Sequence, residues 1–248
     1  MRRYLAATGA RGFVVGLSGG VDSATVARLA QLAAPGAVVG VLLPCHSDPQ
    51  DEHDAQLIAK HFSLATTTVD LSAIYDRLVA DAQAALRSLP PPLRQGAASP
   101  APAGDARAHL PLANIKPRLR MTTLYFIANS LNYLVAGTGN RAELAIGYFT
   151  KHGDGGSDLL PLGQLHKSEV RALARELNVP SPIIERTPSA GLWAGQTDEG
   201  EMGFSYFDLE RYLEEGPQGV SPALAMRIER LARSSDHKRQ LPPMPDPD

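Results

Sequence analysis

Apolar residues along this chain gather into short runs, separated by stretches in which they recur every three or four positions. The first run, Phe13 to Leu17, has the continuous apolar character of a strand buried inside a parallel sheet. Val21 to Ala34 then carries a helical repeat that stops at Pro35-Gly36, Ala37 to Leu43 reads as a second buried strand, and Asp48-Pro49 opens a helix to about Phe62. Ala65 to Leu71, rich in Thr and Val, predicts a third strand, followed by a helix to about Leu89. A helix from Asn114 precedes a fourth strand at Tyr133 to Ala136. Strands alternating with helices of this length predict an α/β fold: a doubly wound parallel sheet of about five strands with helices on both faces.

Two stretches break the rhythm. Residues 90–111 contain Pro90-Pro91-Pro92, Pro100-Ala-Pro102 and Pro111 among Ala and Gly. They have too little apolar surface to offset chain entropy, which predicts a mobile loop, with an active-site lid as the alternative. The tail, residues 234–248, is polar and basic through His237-Lys-Arg239 and then proline-rich. It is expected to be mobile and is a second candidate lid. Both belong to a single domain, 1–248, because 248 residues with 44% hydrophobic composition can bury one good core but not two large ones.

A net charge of −2 and a pI near 6.4 argue against a dedicated nucleic-acid surface. No apolar run approaches the roughly 20 residues of a membrane span, and residues 1–11 carry no secretory core. Cys45 has no partner for an internal disulfide, which suits a reducing compartment, and a cytoplasmic protein is expected.

The chemistry begins where the first strand ends. Gly16-Leu17-Ser18-Gly19-Gly20-Val21-Asp22-Ser23 runs from an apolar strand through a glycine pair into a helix. Glycines let backbone amides approach an anion closely, and the helix start adds its positive end. Ser18 and Ser23 add hydroxyls, and Asp22 can hold a divalent cation on the same phosphates. The spacing is neither that of a P-loop nor that of a dinucleotide fingerprint. It resembles instead the pyrophosphate loop of the ATP pyrophosphatase superfamily, whose members cleave ATP between the α and β phosphates and adenylate their substrate. A glycine-rich turn without a ligand is the plain alternative.

Gly137-Thr-Gly-Asn-Arg-Ala-Glu143 is a second glycine turn carrying an acid after a strand. If the first and fourth strands flank the point where strand order reverses, Asp22 and Glu143 face each other across it. Two carboxylates from different loops suit Mg²⁺, which leaves its remaining positions to water and phosphate. Gly147 to Asp158 holds glycines and aspartates that no core element would carry, so turns, and a ligand, must shape its backbone.

Together, Asn114-Ile-Lys-Pro-Arg-Leu-Arg-Met121, Gly137 to Glu143, Gly147 to Asp158, Leu159-Leu-Pro-Leu162 and His237-Lys-Arg239 resemble, in this order, the motifs of NAD synthetase, from Ala10 to Arg239. The resemblance implies an adenine nucleotide alpha hydrolase-like fold and a C–N bond-forming ligase. This enzyme would adenylate deamido-NAD with ATP and hand the activated carbonyl to ammonia, giving NAD, AMP and pyrophosphate. Carried over by position, Gly16 to Ser23, Thr138, Lys167 and Ser189 would bind ATP, and Asp22 and Glu143 would bind Mg²⁺. Asn114, Arg120, Tyr125, Lys151, Asp154, His237 and Lys238 would bind deamido-NAD, with Asp154, Lys167 and Asp22 as the catalytic groups.

Each assignment has a physical reading beside it. Lys167 opens a helix to about Asn178 and is a point charge for phosphates or a solvated helix-end lysine. Arg118 and Arg120 point apart on one helix, and Arg120 is preferred for the pyrophosphate. Asp154 orients the amine or caps a turn. Tyr125 is core by periodicity, and a stack for the nicotinate ring by resemblance. Trp193 lies in a segment, Gly191 to Glu199, that departs from the family pattern and either covers the site or anchors a loop. About ten residues precede the first strand, where the family has a full helix, yet a homodimer is still implied. A glutaminase domain does not fit in 248 residues, so free ammonia is expected, or a separate glutaminase subunit. Two rivals remain: another amidating or thiolating superfamily member, disfavoured by the Asn114 and Gly153 motifs and the acidic pI, and a nucleotide-binding module without catalysis, which would not need both Asp22 and Glu143.

Overall fold

β1 (Phe13–Gly16) is the most deeply buried strand, with Phe13, Val14 and Val15 wholly inaccessible. The computed structural model describes residues 1–94, 106–193 and 195–245. Ahead of β1, α1 (Arg2–Thr8) is a short helix with no buried residue, stopped by Gly9 in the left-handed conformation. Seven of the twelve residues before the first strand thus form a helix of two turns. After β1 come α2 (Val21–Ala33), β2 (Val38–Leu42), α3 (Pro49–His61), β3 (Ala65–Thr68) and α4 (Ser72–Ser88). Asp48 caps α3 by accepting from the Gln50 amide at 2.9 Å, as its place before Pro49 predicts.

The predicted 90–111 loop is corrected at both ends. Pro91–Arg94 forms a 3₁₀ turn and α5 (Ala106–Ala113) is helical despite Pro111, while residues 95–105 lie outside the described set. Then follow α6 (Ile115–Leu131), β4 (Leu134–Val135), α7 (Arg141–Ile146), α8 (Lys167–Glu176), α9 (Ser181–Glu185), α10 (Asp198–Met202), α11 (Tyr206–Glu215) and α12 (Pro222–Ser234).

The strands pair in the order β3-β2-β1-β4, all parallel, with Phe13 beside Val38 on one side and Leu134 on the other. Strand order therefore reverses between β1 and β4. Alternation along β1 sends Phe13 and Val15 into a core with α2, α3, α8 and α9, and Val14 into a second core against α6. Helices cover both faces, as expected. The described sheet has four strands rather than about five. A fifth begins as a single parallel bridge, Ala136 to Leu159, and stops where Pro161 lacks an amide to continue the ladder. The third strand is shorter than its Thr-rich run and exposed throughout, as an edge allows. A third apolar cluster joins α7, α11 and α12 through Ala142, Ile146, Leu209 and Ile228. No described helix is long and apolar enough to cross a membrane.

Candidate active site

The loop that leaves β1 and the loop that leaves β4 open onto one cavity of about 570 Å³ at the carboxyl ends of the strands. Gly16, Leu17, Ser18, Gly20, Val21, Asp22 and Ser23 line it. α2 has no side-chain cap, so its first turn offers amides to a ligand. Ser18 and Ser23 meanwhile hold one another, Oγ to Oγ at 3.1 Å, and the Gly20 amide donates to Ser18 Oγ at 3.3 Å. Gly19 alone of the motif does not line the cavity. Its φ of +81° and its lack of a side chain serve packing instead, since a Cβ there would stand 2.6 Å from the Asp51 carbonyl oxygen on α3.

Asp22 and Glu143 do meet across the switch point, and Asn140 ties them together. Its Nδ2 donates to Asp22 Oδ1 at 3.4 Å, its Oδ1 accepts from the Glu143 amide at 3.1 Å, and its own amide donates to Glu143 Oε2 at 3.2 Å. The last two contacts are the capping box of α7, so the helix start itself fixes Glu143. Burial, then the Asp22 charge, push the Glu143 carboxyl well above its ordinary value. A divalent cation shared by the two acids removes that conflict, so the donor set fits a hard, oxygen-binding metal.

Lys167, the first residue of α8 and 3% exposed, donates to Asp22 Oδ2. Burial alone would lower its pKa, but the Asp22 and Glu143 carboxylates outweigh it and hold the ammonium above its usual value. The solvated-lysine alternative is thereby removed. Thr138, Ser189, Asn114, Arg120, Asp154 and Lys238 line the same cavity. Arg120 is pre-oriented by donating to the Leu43 carbonyl and to Ser47 Oγ, both at 3.1 Å. Asp154 accepts from the Thr150 amide at 2.9 Å, the turn-capping role, while still facing the cavity. Burial pushes its carboxyl up, against the hydrogen bonds from Thr150 and the Lys238 charge.

Tyr125, Lys151 and His237 do not line this cavity. Tyr125 packs in the core beside β1, its hydroxyl 3.2 Å from Asp158 Oδ1, as its periodicity predicts. Lys151 Nζ donates to the His237 carbonyl at 2.6 Å, which ties the two to each other. The tail is not free at its start: Ser235 Oγ donates to the Ile146 carbonyl at 2.8 Å, and Lys238 Nζ donates to the Gly147 and Phe149 carbonyls at 2.7 Å each. Residues 246–248 lie outside the described set. Trp193 does not line the cavity either; its carbonyl accepts from the Gln196 amide at 3.3 Å.

Sequence reading missed a further part of the cavity wall. Asp198, Glu201, Gln196, Tyr148 and Arg186 line the cavity, and Tyr206 stands directly behind it. Tyr148 Oη reaches Glu201 Oε2 at 2.8 Å, and Arg186 forks onto Asp51 and Asp54 of α3 at 2.5 and 2.8 Å. The available signals were the helix starts at Thr197-Asp198 and Ser205-Tyr206, which mark caps but no ligand.

The family model described as NAD synthase matches residues 1–242. An NH(3)-dependent NAD(+) synthetase of Carboxydothermus hydrogenoformans is 52% identical over 236 residues, 95% of this chain and 89% of that one. Two solved structures are similar throughout. An NMN synthetase from Francisella tularensis is 36% identical with a TM-score of 0.85, covering 99% of this chain and 93% of its own. An NAD+ synthetase from Burkholderia pseudomallei is 34% identical with a TM-score of 0.71, covering 97% and 86%. With a switch-point cavity, a glycine loop at its edge and Asp22 and Glu143 joined through Asn140 already in place, these likenesses settle the kinship: the chain belongs to the NAD synthase family.

Proposed function

We propose that this chain is an ammonia-dependent NAD synthetase, a ligase that joins ammonia to the nicotinate carboxylate of deamido-NAD and splits ATP into AMP and pyrophosphate. The observation that carries it is the buried Lys167 ammonium on Asp22 at the mouth of the Gly16–Ser23 loop, with Glu143 opposite. Loop amides, Ser18, Ser23 and Lys167 take the phosphates, and Thr138 and Ser189 take the rest of ATP. Mg²⁺ held by Asp22 and Glu143 would neutralise phosphate oxygens as charge builds on them. The nicotinate carboxylate oxygen attacks the α-phosphorus and pyrophosphate leaves. Ammonia attacks the adenylated carbonyl, AMP leaves, and Asp154 takes the surplus proton. Arg120, Asn114 and Lys238 position deamido-NAD, so the residues act mainly by placement and charge.

The active species is a homodimer. α4 buries none of its residues and exposes Ile74, Leu78 and Leu86, and Phe126 on α6 is 73% exposed, leaving an apolar face for a second copy. Ammonia is taken as such, in keeping with the name of the Carboxydothermus relative, and the protein works in the cytoplasm.

A second reading takes nicotinate mononucleotide as the acceptor and NMN as the product. It is favoured by the 0.85 TM-score to an NMN synthetase, and by the position of Tyr125, Lys151 and His237 outside the cavity. One experiment separates the two: incubate with ATP, Mg²⁺ and ammonium plus either acceptor, and follow NAD or NMN with AMP and pyrophosphate. Preference for deamido-NAD supports the first reading and preference for the mononucleotide the second. ADP and phosphate as products would end both.

A further inference from the structure

The wall of residues 196–206 belongs to no motif that the loops carry, yet it touches the reacting centre. Tyr206 and Asp198 are 5% and 4% exposed. The Tyr206 hydroxyl donates to Asp198 Oδ2 at 2.8 Å, its oxygen lies 3.5 Å from Glu143 Oε1, and its ring lies 5.2 Å beneath Lys167 Nζ. Tyr148 reaches the other Asp198 oxygen at 3.3 Å. Both residues are rigidly mounted. Asp198 begins α10, where Thr197 caps the helix through the Gly200 amide. Tyr206 begins α11, where Ser205 and Asp208 form a capping box and the Tyr206 amide donates to Glu199 at 2.9 Å.

Lys167 donates to Asp22 Oδ2. A metal ion held by Asp22 would compete with the ammonium for that carboxylate, and a second constraint would then keep Lys167 aimed at phosphate oxygens. The Tyr206 ring face supplies one, since an ammonium is attracted to the negative face of an aromatic ring, and Asp198 fixes that ring through its hydroxyl. The same hydroxyl stands against Glu143, so one side chain contacts both a cation and an acid of the centre.

We propose that Tyr206 and Asp198 are a positioning pair that holds Lys167 and Glu143 in their working geometry. This rests on the reading of Lys167 as a phosphate ligand and of Asp22 and Glu143 as metal ligands. Tyr206 does not line the cavity and Asp198 stands in its wall; the role proposed for both is exerted through the two residues they hold.

The test is a cycle of variants in the full-length protein, assayed for NAD formation. Tyr206→Phe removes one oxygen and keeps the ring. It should lower kcat about tenfold, leave the KM for deamido-NAD within about twofold, and keep Tm within a few degrees. In a Lys167→Gln background the same change should cost less than about twofold, because the group it positions is gone. Asp198→Asn carries the same expectations. Wild-type kcat in Tyr206→Phe, or an undiminished loss on top of Lys167→Gln, overturns the pair while leaving the proposed activity standing. Loss of folding in both single variants assigns them a purely structural role and overturns it too. A wild-type protein that forms no NAD, or a fully active Lys167→Gln, overturns the underlying reading and the pair with it.

Discussion

Asn140 bridges Asp22 and Glu143, donating to the first and exchanging two hydrogen bonds with the second. One amide thus joins the acid that follows β1 to the acid that follows β4. If they share Mg²⁺, Asp22→Asn and Glu143→Gln should each lower turnover by about 10²-fold, roughly 2.7 kcal/mol, with the fold intact. Steady-state kinetics beside a thermal melt checks this, and full activity in either variant removes the shared metal.

Glu143 also predicts a pH effect on metal-free protein. Its carboxyl is raised by folding, so the protonated form is favoured in the native state and its contribution is complete below the ordinary value of 4.5. That contribution declines as pH rises from there towards the raised native value. Mg²⁺ relieves the same repulsion. The rise in Tm on adding Mg²⁺ alone should therefore be larger at pH 8 than at pH 6, by a few degrees for a chain of this size. An equal shift at both pH values would show that Glu143 does not meet the ion.

The uncovered face of α4 predicts association. Light scattering at micromolar concentration should give twice the 26.4 kDa of one chain, and Ile74→Glu with Leu78→Glu should return it to the monomer. A wild-type mass near 26.4 kDa would refute the dimer.

The tail divides at Arg239. Removing residues 240–248 leaves the Ser235 and Lys238 contacts and should change Tm little. Removing 235–248 takes away charged and neutral hydrogen bonds to the Ile146–Phe149 turn and should lower Tm by several degrees while raising the KM for deamido-NAD. Kinetics and melts of the two truncations decide it, and identical behaviour would mean the docked turn is idle.

The parts legible in the sequence are those where local pattern and chemistry coincide. Phe13 to Leu17 followed by Ser18-Gly-Gly-Val-Asp-Ser23 announces a buried strand, a turn and an anion site at once, and Glu143 is found from its glycine turn. Lys167 needed the resemblance, because nothing local distinguishes a helix-start lysine in solvent from one that is 3% exposed on an aspartate. Tyr206 and Asp198 were not legible at all. Their spacing reads as helix capping, and their proximity to Glu143 arises only when α11 packs on α7. The fifth strand failed for a local reason, Pro161, that a count of apolar runs ignores. At Gly19 the sequence shows only that something stands close to a missing Cβ, and the structure puts α3 there.

The pairing of β1 with β4 has a consequence for the order in which the molecule matures. The segments 16–23 and 137–143, which line one cavity, are separated along the chain by β2, β3 and their crossovers, which lie on the other side of β1. Contacts so distant along the chain carry a large loop-closure entropy and form late. On the proposed reading of Asp22 and Glu143 as metal ligands, a chain ending before β4 has the glycine loop but no opposing acid, and weaker retention of Mg-nucleotide is expected of it. On that reading, nucleotide retention would report that β4 has joined the sheet.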